Sequence, residues 1–332
     1  MTSNPNPDHL ERTAAEPRDK SLHTVVLRHI EEVNDTARVF RLGIPRDSPP
    51  IRFLPGQWLD VYVPGVERAG GFTITSTPRD ARLPHPSTDA TSHDGSADGG
   101  PYLELAVQKS PENPPAAWLW QSPKSILNTE LRVRIGGSFV FPPPGINVRG
   151  LRRVVFVAGG MGVNPLVSML GSLASAATQP GFEVHFLYSL KDPDPGNKEG
   201  KRRAAGDMLF VERIARIFRL GKVKGRFRVF LTSGGEGVGV GEEGEIICTD
   251  DGAKGEGEGE GEGDNTYTIP FHPRRYTLDE EVTEAIGSPA ERRHAVVYVC
   301  GVPSMTDEFV ARLTDKDGLG MDSHRVLCEK WW

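Results

Sequence analysis

The chain has 332 residues, enough for two ordinary domains, each with its own core. With 39 basic against 45 acidic residues it carries a net charge of −6 and shows no basic stripe, which argues against a nucleic-acid partner. Its 3 cysteines and 9 histidines show no disulfide framework and no metal-ligand spacing, and no apolar run approaches the ~20 residues of a membrane span.

Residues 1–20 are polar and are expected to be poorly ordered, with at most a short helix near His9. No secretory or transit signal is legible there, which together with the cysteine usage suits an intracellular, cytoplasmic chain. From residue 22 the hydrophobic period falls to two, and residues 23–33, 37–44, 57–63 and 71–76 read as strands. Residues 83–101 hold almost nothing to bury and read as a surface insertion. Alternation resumes over 102–109 and 131–135, with a helical turn at 115–120. The spacing predicts a small antiparallel β-barrel domain over residues 21–145. Within it, Phe72 can stack on a flat ring while Thr73, Thr75 and Ser76 bond its polar edge. An ordinary strand with Phe72 in the core accounts for the same residues.

After Gly145 the pattern changes. Residues 154–158, 183–190, 226–232, 295–300 and 325–328 read as strands, with helices over 165–176, 207–218, 278–286 and 304–313. That alternation predicts an α/β domain with a doubly wound parallel sheet over 150–332. Residues 234–266 interrupt it with a Glu-Gly repeat from Glu256 to Glu262, expected as a disordered, solvated insertion.

The strand at 154–158 runs into Gly159, Gly160, Met161, Gly162, Val163, Asn164 and Pro165. The glycines remove Cβ atoms where the chain turns, Asn164 is placed to cap the helix, and Pro165 suits its first turn. Strand, turn and helix N-terminus together make a pyrophosphate cradle, although a plain βα turn uses the same parts. Val299-Cys-Gly-Val-Pro-Ser-Met305 ends another strand and opens a helix, with Ser304 as its expected cap. It would set Cys300 beside anything bound at the first turn; a capped turn with a buried thiol is the alternative. Ser189 and Lys191 close the second strand, where they can meet a ribose hydroxyl and a 2′-phosphate, or Lys191 is simply an exposed lysine. The terminal Glu329-Lys-Trp-Trp332 either plugs an apolar gap or covers a planar ligand.

A barrel followed by a nucleotide domain, with Gly56-Gln57-Trp58, Gly71-Phe-Thr-Ile-Thr-Ser76, Gly160-Met-Gly-Val-Asn-Pro165, Cys300-Gly-Val-Pro-Ser-Met305 and Glu329-Lys-Trp331, resembles the ferredoxin–NADP reductase-like flavoenzymes. More narrowly, His9-Leu-Glu-Arg-Thr-Ala14, Pro114-Pro-Ala-Ala-Trp118 and the Glu329-Lys-Trp-Trp332 ending resemble the oxidoreductase NAD-binding domain-containing protein 1 group. The resemblance implies a two-domain, ferredoxin-reductase-like fold with FAD on the barrel and NAD(P)H on the second domain. A hydride would pass from nicotinamide to flavin, and electrons on to an external acceptor. It implies that Gly160, Gly162 and Pro165 bind the pyridine nucleotide, and that Gly301 and Pro303 flank the nicotinamide with Cys300. Phe72, Thr73 and Thr75 would touch the flavin, and Cys300, Glu329 and Trp331 become the candidate catalytic residues. The group also suggests mitochondria. Two stretches depart from the family. Its Arg-x-Tyr-Ser reads Gly70-Gly-Phe-Thr73 here, with Arg68 the nearest replacement for the arginine. Its Gly-x-x-Ser phosphate loop reads Asn113-Pro-Pro-Ala116. These departures leave open a rival expectation, an NAD(P)-binding sensor or assembly module that has lost flavin and catalysis.

Overall fold

A computed structural model of the chain describes residues 8–82, 100–195, 202–232, 243–249 and 266–330. Contacts divide it into two units, Met1–Gly145 with Asn164–Ser175, and Ile146–Val163 with Ala176–Trp332.

In the first unit six strands, β1 (His23–Asn34), β2 (Ala37–Gly43), β3 (Trp58–Tyr62), β4 (Gly70–Thr73), β5 (Tyr102–Gln108) and β6 (Glu130–Gly136), pair antiparallel in the order β4-β3-β6-β1-β2-β5. The sheet closes on itself where Ile74 bridges Leu105 and the Thr75 N–H donates to the Glu104 carbonyl at 2.8 Å. Period-two patterning sends one face inward: Val25 and Leu27, Phe40 and Leu42, Leu59 and Val61, Leu103 and Leu105 share one buried cluster. Each such side chain contributes about 2 kcal/mol by leaving water. Short helices α2 (Pro114–Leu119) and α3 (Pro123–Ile126) add Ala116, Leu119 and Ile126 to that core.

The expectation of a poorly ordered N-terminus does not hold for residues 8–20. Asp8 and Glu11 form a capping box on α1 (His9–Arg12), and Arg18 bridges to Gly136 at the edge of the barrel. The physical reason is Asp60 of β3, which is fully buried. Its carboxylate accepts from Arg18 Nε at 3.1 Å and Arg134 Nε at 2.8 Å, and His9 Nε2 lies 2.9 Å away. A buried carboxylate needs such partners, and the N-terminal segment supplies two of the three. Burial alone would raise the Asp60 carboxyl; hydrogen bonds with His9 and Arg134 and the Arg18 charge outweigh it and hold it below the usual range. The expected insertion at 83–101 falls, over 83–99, outside the described residues.

The second unit carries β7 (Arg153–Gly159), β8 (Glu183–Lys191), β9 (Arg202–Ala204), β10 (Gly225–Thr232), β11 (Gly244–Thr249), β12 (Thr266–His272), β13 (Ala295–Gly301) and β14 (Val326–Lys330). They form one sheet in the order β14-β13-β7-β8-β10-β12-β11-β9. Helix α4 (Val163–Ala174) follows β7 in the chain but, from Asn164, is counted with the first unit; α5 (Val211–Arg219), α6 (Thr283–Ile286) and α7 (Pro303–Thr314) are the helices of the second. The sheet is mixed rather than all parallel, because β11 and β12 pair antiparallel. The insertion read at 234–266 is corrected in its described part. Residues 244–249 alternate, with Ile246 and Cys248 fully buried, and that is enough to make a strand once β12 lies beside them. The Glu256–Glu262 repeat lies outside the described residues. Helix 278–286 opens as a π-helical turn, Leu278–Val282, before α6.

Candidate functional site

In the second unit β7 lies between β13 and β8. From β7 the chain steps one way to β8 and β10, while β13 and β14 are added on the other side. The order therefore reverses between β7 and β13, and ligands of open parallel sheets sit outside the strand C-termini at such a point.

β7 ends in a 3-10 turn, Gly160–Gly162. Gly160 has φ +52°, which glycine adopts without strain, and a side chain there would meet nothing within 4 Å. Gly162 answers a different demand. A Cβ on it would lie 2.1 Å from the Cys300 carbonyl oxygen and 2.7 Å from the Gly301 nitrogen, both backbone atoms. A Cβ on Gly159 would meet Met305 Sδ at 3.0 Å. Strand register sets Cys300 opposite Ala158 and Glu329, and Gly159 opposite Ser189. Gly159, Gly160, Met161, Gly162, Ser189, Cys300, Gly301, Pro303 and Glu329 are thus brought together at the C-terminal ends of four parallel strands.

Cys300 turns its carbonyl toward the glycine turn, and its thiol is fully buried. Ser304 is not the cap of α7: the N-cap is Val302, without a side-chain bond, and Ser304 lies in the first turn behind Pro303. Its N-cap residue therefore gives the positive end of α7 no side-chain acceptor. Lys191 is exposed, and its neighbour Asp192 is held by Arg203 Nε at 2.8 Å and Nη2 at 3.1 Å. Lys330 Nζ reaches Asp307 at 2.5 Å and ties β14 to α7. Trp331 lies outside the described residues.

One residue escaped the sequence reading. Tyr276 is buried, and its hydroxyl donates to the Ala158 carbonyl at 3.0 Å with Met305 Sδ at 3.3 Å. It joins the end of β7 to the first turn of α7 from below. Burial pushes its phenol well above the ordinary value, so it remains a donor. Its only sequence signal is an aromatic just before the acidic start of a helix.

In the first unit, Asn164 does not cap α4, which starts one residue earlier at Val163. Its Nδ2 donates instead to the Ala106 carbonyl at 3.0 Å, and Ser168 Oγ donates to the Ser76 carbonyl at 2.7 Å. Pro165 falls in the first turn of α4, as its fixed φ favours. Phe72 pairs with Leu59 across the β3–β4 ladder and packs in the barrel core, not in the open where a ring could stack on it. Thr75 Oγ1 donates to Glu104 Oε1 at 2.8 Å, and Ser76 Oγ accepts the Glu104 N–H at 3.0 Å. Thr73 Oγ1 is buried and has no hydrogen-bond partner among the described residues. A Cβ on Gly70 would lie 2.5 Å from Phe72 Cε2 and 2.8 Å from Pro115 Cβ.

A surface cavity of about 390 Å³, lined by Arg152, Arg153, Phe182, Glu183 and Lys224, opens at the opposite ends of β7 and β8. Strand N-termini are not where such sheets bind ligands, so it takes no part in this site. Among the described residues no helix is long and apolar enough to cross a membrane.

No family model matches the chain. Six curated sequences named oxidoreductase NAD-binding domain-containing protein 1 match it at 26 to 28% identity. The one from Bos taurus is 28% identical over 340 residues, covering 100% of this chain and 88% of its own length. Among solved structures, a flavohemoglobin from Malassezia yamatoensis with bound FAD and heme aligns with a TM-score of 0.59 at 13% identity. That alignment covers 97% of this chain but 64% of the flavohemoglobin. A ferredoxin NADP+ reductase from Neisseria gonorrhoeae with bound FAD and NADP aligns with a TM-score of 0.56 at 12% identity, over 95% of this chain and 100% of that one. At these identities the structures establish the fold. Over its whole length the chain is similar to proteins named oxidoreductase NAD-binding domain-containing protein 1, and its fold is ferredoxin-reductase-like.

Proposed function

We propose that the chain is an NAD(P)H-dependent oxidoreductase of flavin-reductase type, passing electrons from NAD(P)H by way of a flavin to an external acceptor. The observation that carries this reading is the pairing of two turns at the reversal point of the second unit, Gly160–Gly162 and Cys300–Met305, packed so closely that Gly162 admits no side chain. A nucleotide bound there supplies the hydride, and the chain supplies position and field. The glycine turn offers backbone N–H groups to a diphosphate, and the uncapped first turn of α7 adds a positive dipole end. Tyr276 holds the two turns in register, while Ser189 and Lys191 stand where an adenosine ribose would be read. Cys300 and Glu329, register partners, are the residues proposed beside the transfer point, with Trp331 following them in the chain.

A flavin fits the first unit only in part. The Thr73 hydroxyl, buried and without a hydrogen-bond partner among the described residues, suits the polar edge of a ring. The diphosphate of FAD finds no fit, because the place of the family's arginine is taken by the Phe72 ring and Pro115. No step is therefore assigned to a bound FAD. The same misfit favours a second reading, an NAD(P)-binding module without turnover. Titrating the purified chain with NADH and NADPH, then following nicotinamide absorbance with free flavin present, separates the two. Nucleotide binding without flavin-dependent oxidation leaves the module, and no nucleotide binding sinks both. A mitochondrial location rests on the resemblance alone and is tested by fractionating cells that express the chain.

A further inference from the structure

Three features of the first unit meet at one place. Gly70 stands where the resembled family carries its diphosphate-binding arginine, and any Cβ there would strike the Phe72 ring at 2.5 and 2.8 Å and Pro115 Cβ at 2.8 Å. Pro115 belongs to α2, which begins where that family has its second phosphate loop. The first turn of α2 has nothing to offer an anion. Pro114 and Pro115 have no N–H, the Ala116 N–H donates to Asn113 Oδ1 at 3.3 Å, and the Ala117 N–H donates to the Asn113 carbonyl at 2.8 Å. The two sequence departures, more than forty positions apart, thus coincide in space. An apolar plug has replaced a charged grip, and the helix end behind it is satisfied from within.

We propose that any flavin this chain reduces is held without a grip on its phosphates and exchanges freely, FAD, FMN and riboflavin being equivalent substrates. The inference rests on the flavin-reductase reading above. NAD(P)H gives a hydride and solvent a proton to the oxidised flavin, and NAD(P)+ and the dihydroflavin leave. Arg68, exposed two residues before Gly70, is not part of a built anion site.

The test is equilibrium titration of the full chain with FAD, FMN and riboflavin, alongside NAD(P)H oxidation supported by each. Dissociation constants within about threefold of one another are expected, where an arginine and helix donors on a diphosphate would separate FAD from riboflavin by roughly 100-fold. Arg68→Gln is expected to leave FAD binding within about twofold. FAD retained through desalting, bound roughly 100-fold tighter than riboflavin, or weakened about tenfold by Arg68→Gln overturns the inference and leaves the reductase reading standing. If none of the three flavins supports oxidation while NADH or NADPH still binds, both fall.

Discussion

Gly162 and Gly70 are the same residue type in equally tight places, and they do opposite things. At Gly162 the obstacle is backbone, the Cys300 carbonyl at 2.1 Å, and the neighbouring Gly160 faces open space. At Gly70 the obstacles are side chains, Phe72 and Pro115, which fill the space that the missing side chain vacated. In the second unit glycine lets two strands close under a clearing; in the first it lets a ring fold into the wall. A glycine in a resembling motif therefore says little until its neighbours are known.

The largest effect is expected from Gly162→Ala. The Cys300–Gly301 backbone cannot yield, so the turn or β13 must shift, destabilising the chain by about 3 kcal/mol and weakening the proposed NAD(P)H binding by about 100-fold or more. A thermal melt and a nucleotide titration check it, and near-normal binding would show that the clearing tolerates a side chain. Asp60→Asn comes next, with about 3 kcal/mol lost from stability alone, because Arg18 and Arg134 lose their buried counter-charge while the glycine turn is untouched. Since the folded carboxyl lies below its ordinary value of 3.8, its contribution is complete above that value and disappears as pH falls through the lowered one. Urea unfolding of wild type and variant should therefore differ fully at neutral pH and converge in acid. Gly70→Ala is expected to cost about 1–2 kcal/mol, less than Gly162→Ala, because a ring and a proline can give where a backbone cannot. Equal losses in the two glycine variants would erase the contrast between plug and clearing. Tyr276→Phe is the mildest, about 1 kcal/mol from the hydroxyl bonded to Ala158, with nucleotide binding weakened a few-fold.

Periodicity made the barrel legible. Leu103, Leu105 and Val107 alternate without ambiguity, and each is buried. The buried run from Val154 to Ala158 followed by glycines was equally plain, because few other sequences put a β-branched strand directly before so much backbone freedom. What stayed hidden depends on partners far along the chain. β11 reads as loop because its flanks are glycine and glutamate, and only pairing with β12 explains why Ile246 and Cys248 alternate. Asp60 looks like any strand carboxylate until His9 and Arg18 arrive from some forty to fifty positions away. Asn164 and Ser304 were read as caps from local preference, but the Ala106 carbonyl claims the first and Val302 precedes the second. Local preference thus misread the side-chain partners of both residues.

The helix that follows the glycine turn has a consequence for cutting this protein apart. Residues 164–175 cluster with the first unit although the chain on either side of them belongs to the second. A fragment stopping at Gly145 would keep all six barrel strands yet lose Asn164 and Ser168, which bond the carbonyls of Ala106 and Ser76. It would also bare Gly56, against which Met169 packs, and Thr77, which lies beside Gly171. Neither half is one continuous stretch of polypeptide, so a protease or a gene truncation acting near residue 145 leaves the first unit incomplete, while the remainder keeps the whole second unit and carries the first unit's helix with it. Autonomous folding would be recovered only by supplying that helix to the first as a separate peptide or a permuted insert.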